Sequence, residues 1–297
     1  MSRPLVERPV RRLFTFGCSF TRWLWTGWPE ILANHLDVPH WNFGAGGGGN
    51  QFMFTRLSQA RQAYNIGPDD LVVICWTHFS REDRWCEKIS DWELVGNIYH
   101  SNGVWDERWI KRWANSTHYA LRDLSMINMT RTCLDSWGCQ YHMMSMCDLL
   151  TNIDENYGHH IPEPERQTLV DLYQSDMEHI LPSYYTVLWN NDLGHNKFRV
   201  ERKEIHPMFG DGHPSPYEHL KYLAHHWPEL QTSQGSTVAR VDQVYRQYLK
   251  QTYSDGRKLR GSPGSCFPQT VLTHEEKLHL RSITEIRPSE LFQGQIL

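Results

Sequence analysis

No apolar run in this 297-residue chain approaches the ~18 residues that a membrane-spanning helix needs, which argues against a bilayer as partner. Charge of one sign is missing too: 30 Lys and Arg face 34 Asp and Glu, with no basic block or stripe. Nucleic acid is therefore not expected as the main partner. Residues 1–12 carry the charges of a signal peptide's start without the apolar stretch that must follow, so the protein is expected to be made in the cytoplasm without a secretion signal. There is no CxxC pair among the seven cysteines (18, 75, 86, 133, 139, 147 and 266), an odd set that reads as reduced thiols, several in buried strands. The chain also lacks an internal repeat, a Gly-Lys-Ser/Thr phosphate loop and a GxGxxG turn. The histidine pairs His159-His160 and His225-His226 are adjacent and cannot share a helical face, so a metal site is not expected. No cofactor is expected either.

What is present is an alternation of strand and helix patterns. Leu13 to Phe16 is an apolar, β-prone run inside a first strand over 11–20, and a helix is predicted over 26–36 with Trp28, Ile31, Leu32 and Leu36 on one side. A short strand at 39–43 leads into Gly44-Ala45-Gly46-Gly47-Gly48-Gly49-Asn50. Asn50 has the character of a cap for a helix over 51–65. Leu71 to Trp76 is a continuous apolar run of the kind buried parallel strands show. This β-α-β-α-β pattern argues for an α/β fold with a parallel sheet and helices on both faces. Residues 81–116 are irregular, charged and Trp-rich and read as an insertion. A helix over 117–136, a strand over 140–146, a helix over 166–181 and a strand over 184–189 follow. After a loop rich in His, Gly and Pro come a helix over 216–226 and an amphipathic one carrying Val238, Val241, Val244 and Tyr248. The domain is expected to span 1–254, with 255–297, rich in Gly, Ser, Pro and charge, as an arm or linker.

Three segments fall at the carboxyl ends of predicted strands, where open α/β sheets place ligands. Ser19 follows the first strand, where its oxygen can be exposed and helix N–H groups can stabilise an anion. The run 44–49 holds five glycines in six residues, and its N–H groups can point at a developing oxyanion. A nucleotide phosphate would also suit it. Gly210-Asp211-Gly212-His213-Pro214-Ser215-Pro216 sets a histidine beside an aspartate, as a general base and its orienting carboxylate need. His206 and His219 flank this loop, with ordinary hydrogen bonding as the expected role. The thirteen tryptophans, Trp23, Trp25, Trp28, Trp105, Trp109 and Trp113 among them, serve core packing or form aromatic platforms for a sugar.

Phe16-Gly17-Cys18-Ser19-Phe20-Thr21, Asn42-Phe43-Gly44-Ala45-Gly46-Gly47 and Asp211-Gly212-His213-Pro214-Ser215-Pro216 resemble the first, second and last blocks of the SGNH (GDSL-type) hydrolases, over roughly 11–226. The resemblance implies a three-layer, flavodoxin-like fold and ester cleavage by a Ser-His-Asp triad, often on acylated carbohydrates. It makes Ser19 the nucleophile and an oxyanion donor, Gly47 the second donor with Gly46 as near alternative, His213 the base and Asp211 its partner. Cys18 stands where the family usually has aspartate, and Asp211 is two residues from His213 where three is usual. The third block's Gly-x-Asn-Asp is absent: Trp76-Thr77-His78-Phe79-Ser80-Arg81 follows the strand, leaving Thr77, Ser80 or Asn50 to supply the side-chain oxyanion donor. Loss of one such donor costs about 10²–10³ in rate. The expected activity is a serine esterase or deacetylase acting on small acyl esters, most of all on a saccharide. The alternative is a weak or inactive binding or structural module, of a phage particle or another assembly, that associates through its C-terminal arm as a homo-oligomer or with other components. A nucleotide-binding protein using the glycine run is a third reading.

Overall fold

The computed structural model describes residues 4–23, 26–99, 105–150, 161–189 and 213–254, with the backbone alone at 189 and 244–254. The arm expected at 255–297 lies outside these residues. Strands β1 (Arg12–Gly17), β2 (His40–Asn42), β3 (Asp70–Trp76) and β6 (Gln140–Ser145) form one parallel sheet in the order β2-β1-β3-β6. Strands β4 (Arg84–Cys86) and β5 (Asp91–Glu93) form a separate antiparallel ribbon. The sheet is doubly wound: from β1 the chain moves outward to β2, then crosses back over β1 to β3 and on to β6. The crevice between the diverging connections therefore opens at the carboxyl ends of β1 and β3. Beyond β6 the edge is closed by a single parallel bridge from Met143 to Ile180 and by the Leu181 N–H donating to the Met143 carbonyl at 2.8 Å.

Helix α1 (Trp28–Leu36) packs with α7 (Pro216–His226) and α8 (Glu229–Ser254). Helix α4 (Ser116–Trp137) packs with both α2 (Asn50–Tyr64) and α5 (Glu163–Met177). These two helical groups and the sheet make the three layers. Every residue of β3 is buried, as a central parallel strand covered on both faces requires. Phe14 stacks on Trp41 at 5.2 Å and Phe16 on Phe43 at 5.1 Å, so aromatic pairs tie β1 to β2 and the residue after it. Burying each such ring stabilises the fold by about 1.5–3 kcal/mol.

Three expectations are corrected. The first strand ends at Gly17, because the Thr21 and Arg22 N–H groups turn back onto the Cys18 carbonyl. Tyr184–Trp189 is helix α6, not a strand: the Ser183 hydroxyl accepts from the Thr186 N–H at 3.1 Å and starts a helical turn whose Tyr184 stacks on Tyr222 at 3.6 Å. Asn50 does not cap α2. Gly49 is the cap residue, and the Asp83 carboxylate accepts from the Gly49 and Phe52 N–H groups, both at 2.9 Å. Between β3 and α4 lie the β4–β5 ribbon and a short helix, α3 (Glu107–Trp113).

Candidate active site

The segment after β1 is a tight turn, and Ser19 lies in it at the carboxyl end of a central strand, 7% exposed. The loop after β2 stays beside it: the Phe43 N–H donates to the Thr15 carbonyl at 2.8 Å and the Ala45 N–H to the Gly17 carbonyl at 3.1 Å. Asn42 locks the two turns together. Its amide donates to the Thr21 carbonyl and to Glu30, and its oxygen accepts from the Gly44 N–H at 2.9 Å. Among the described residues, the N–H groups of Ser19, Gly46 and Gly47 have no hydrogen-bond acceptor, and all three belong to these two adjoining turns. Gly47 sits at φ +78, and a Cβ there would lie 2.6 Å from the Leu94 carbonyl oxygen, so only glycine fits. Gly48 and Gly49 are occupied elsewhere: the Gly48 carbonyl accepts from Arg81 at 2.7 Å and the Gly49 N–H is held by Asp83.

His213 enters through the start of α7. Ser215 caps that helix by accepting from the Glu218 N–H, Glu218 returns to the Ser215 N–H at 2.7 Å, and Pro216 suits the first turn. This capping box fixes the chain two residues after His213. The imidazole stacks on Trp23 at 3.8 Å and lies 5.7 Å from the Phe20 ring, the residue next to Ser19. Trp23 in turn borders the second turn, since a Cβ on Gly46 would lie 3.5 Å from its ring. Ser19, the glycine turn and His213 thus share one rim of the sheet. Asp211 and His206 lie outside the described residues. His219 makes a hydrogen-bonding contact to the Tyr184 hydroxyl at 3.0 Å.

Of the side-chain oxyanion donors expected around β3, Asn50 and Thr77 are engaged elsewhere, while Ser80 is buried in the loop after the strand. Asn50 spends both amide hydrogens, on the Thr77 carbonyl and on Asp123, each at 2.9 Å, and its oxygen takes the Thr77 N–H. The fully buried Thr77 hydroxyl faces the Met146 sulfur at 3.8 Å. Burial pushes the Asp123 carboxyl up to about 7 despite the opposing pull of Arg122 and Asn50. Burial likewise raises Asp83, against the lowering effect of the Phe52 and Gly49 N–H groups. Sequence reading singles out neither aspartate. Their partners lie 34 and 73 residues away in the chain, at spacings no local motif encodes. Below the rim, burial and the neighbouring Cys18 and Cys147 thiols push the Cys75 thiol well up, so it stays protonated. The six described cysteines are free, and among the described residues no His, Cys, Asp and Glu cluster could hold a metal ion. No helix among the described residues is long and apolar enough to cross a membrane.

No family model and no curated protein sequence matches the chain. Solved structures do resemble it. A member of the lipolytic G-D-S-L family from Veillonella parvula is 16% identical, with a TM-score of 0.39 over 75% of this chain and 99% of its own. A Desulfitobacterium hafniense protein ascribed to the same family is 14% identical, with a TM-score of 0.33 over 60% and 79%. A Bacillus subtilis protein is 14% identical, with a TM-score of 0.36 over 76% and 57%. Likeness at this level bears on neither the substrate nor the roles of particular side chains.

Proposed function

We propose that the chain is a serine ester hydrolase. Ser19 Oγ attacks the ester carbonyl carbon and its proton passes to the His213 imidazole. The C–O bond to the alcohol then breaks, with that proton delivered to the leaving oxygen. Water, deprotonated by the same imidazole, cleaves the acyl-serine. Asp211 orients the imidazolium, and the Ser19, Gly47 and Gly46 N–H groups receive the oxyanion. The observation that supports this reading is the packing of His213 against Phe20 and Trp23, side chains of the same turn that carries Ser19 at the sheet's switch point. The substrate class is a small acyl ester, with a saccharide as the alcohol half on account of the aromatic segment 81–116.

The test is turnover of short p-nitrophenyl esters together with labelling by a fluorophosphonate. Wild type hydrolyses the ester, and mass spectrometry places the label on Ser19. Ser19→Ala lowers turnover by about 10⁴-fold or more. Equal turnover in both proteins, or no turnover and no label in wild type, removes the reading. The commitment of Asn50 to Thr77 and Asp123 favours a second reading, a catalytically weak module that binds glycan or builds an assembly such as a phage particle. Under it Ser19→Ala leaves binding and assembly intact, whereas deletion of 255–297 abolishes association.

A further inference from the structure

A cavity of about 440 Å³ opens beside the loops that leave the carboxyl ends of β2 and β3. It is lined by Glu82, Arg84, Trp109, Trp113, Tyr119 and Arg122, and Gln51 reaches it from the first turn of α2. Its volume falls in the ~300–1,000 Å³ span of small-ligand sites. Neither Ser19 nor His213 lines it.

The wall has two chemical faces. Trp109 and Trp113 are four residues apart on α3 and share one side of it. Trp105 packs on Trp109 at 4.4 Å, and Arg112 sits 4.9 Å from the Trp113 ring centre. Trp113 is nevertheless 58% exposed, an unusual place for so large an apolar surface. Opposite are paired charges: Glu82 takes Arg84 at 2.6 Å and Arg122 at 3.6 Å, and Arg122 holds Asp123 at 2.6 Å. Glu82 is shared between the two guanidinium groups and Asp123 takes up part of the Arg122 charge, so the wall holds paired charges and not a run of one sign. They do leave oxygen lone pairs and N–H groups unspent. Tyr119 is 2% exposed, with its hydroxyl beside the Glu82 carboxylate, which it backs without presenting an accessible oxygen of its own.

We propose that this cavity binds a neutral saccharide, one pyranose lying its C–H face on the indoles of Trp109 and Trp113 while its hydroxyls reach Glu82 and Arg84. An aromatic face offers apolar area with a negative quadrupole, and a pyranose ring presents polarised C–H bonds to it. Equatorial hydroxyls then meet planar, charge-paired side chains that donate and accept at fixed angles. As a subsite for the alcohol half of an ester, the cavity rests on the hydrolase reading; as a binding site it stands apart from it.

Isothermal titration of the full chain with xylotriose, N-acetylated chitotriose and maltotriose is the experiment, alongside p-nitrophenyl acetate turnover by wild type and Ser19→Ala. Wild type binds at least one of these trisaccharides. Trp113→Ala, at an exposed position, weakens that binding about tenfold, and Arg84→Ala, whose side chain is also largely exposed, weakens it severalfold. Ser19→Ala binds as wild type does. Absence of binding to all three trisaccharides, unchanged binding in both cavity variants, or a preference for anionic trigalacturonate overturns the proposal. If wild type turns over no ester yet Trp113→Ala loses the trisaccharide, the hydrolase reading falls and the saccharide site stands. If both cavity variants bind the trisaccharide as wild type does and ester turnover depends on Ser19, the saccharide site falls and the hydrolase reading stands.

Discussion

Gly46 and Gly47 are neighbours with free N–H groups, yet their tolerance of a side chain differs. A Cβ on Gly46 meets nothing closer than the Trp23 ring at 3.5 Å, whereas one on Gly47 would collide with the Leu94 carbonyl and sit at φ +78. Gly46→Ala is therefore expected to fold with wild-type stability, and Gly47→Ala to lose about 1–3 kcal/mol. Chemical denaturation gives both values, and ester turnover of the stable Gly46→Ala protein reports whether that turn still accepts the oxyanion. Asp123 gives a second prediction, on pH. Its folded-state carboxyl titrates near 7 against about 3.9 in an unfolded chain. Between those values the folded state holds a proton that the unfolded state has lost. Its contribution to stability accordingly falls as pH rises from 4 to 7 and is flat above, with a slope of at most about 1.4 kcal/mol per pH unit. Asp123→Asn removes that titration. Denaturant melts from pH 4 to 8 should show the wild-type minus variant difference declining across the window, and a difference that is constant or rises rejects the assignment.

The elements differ in how far the sequence announces them. Leu71 to Trp76 is legible as a buried parallel strand because burial on both faces leaves a continuous apolar run. The start of α7 is legible because Ser215, Pro216 and Glu218 form a local capping pattern. Helix α6 is not: Tyr-Tyr-Thr-Val-Leu has strand propensity, and what decides the outcome is the Ser183 cap and the packing of Tyr184 on Tyr222 from another part of the chain. The same holds for α2. A local rule assigns its cap to Asn50, but Asp83 fills that role from beyond β3 and frees Asn50 to turn inward to Thr77 and Asp123. At the candidate site, the positions of Ser19, the glycine turn and His213 follow from strand ends and motifs. The Trp23 platform under His213 and the Asn50–Asp123 network do not, since each depends on tertiary neighbours.

The molecule is also fastened at the end of the sheet remote from this rim. Residues before β1 cross the amino ends of the strands, where Leu5 is 3% exposed and joins the core. The Gln140 side chain accepts from the Glu7 and Arg8 N–H groups and donates to the Arg8 carbonyl at 2.9 Å. The Arg8 guanidinium spans the Pro68 and Gly138 carbonyls, and His142 meets the Leu5 carbonyl at 2.8 Å. Removing residues 1–8 would expose apolar surface worth about 1.5–3 kcal/mol for Leu5 alone. It would also leave Gln140 and His142, each less than a tenth exposed, without these partners. The truncated chain is expected to lose several kcal/mol in denaturant melts while keeping its p-nitrophenyl ester kcat/KM at a temperature where it is folded, because the strap and the rim lie at opposite ends of the strands. Unaltered stability would mean that the strap is incidental. Intact stability with impaired turnover would mean that the two ends of the sheet are coupled through β1 and β3.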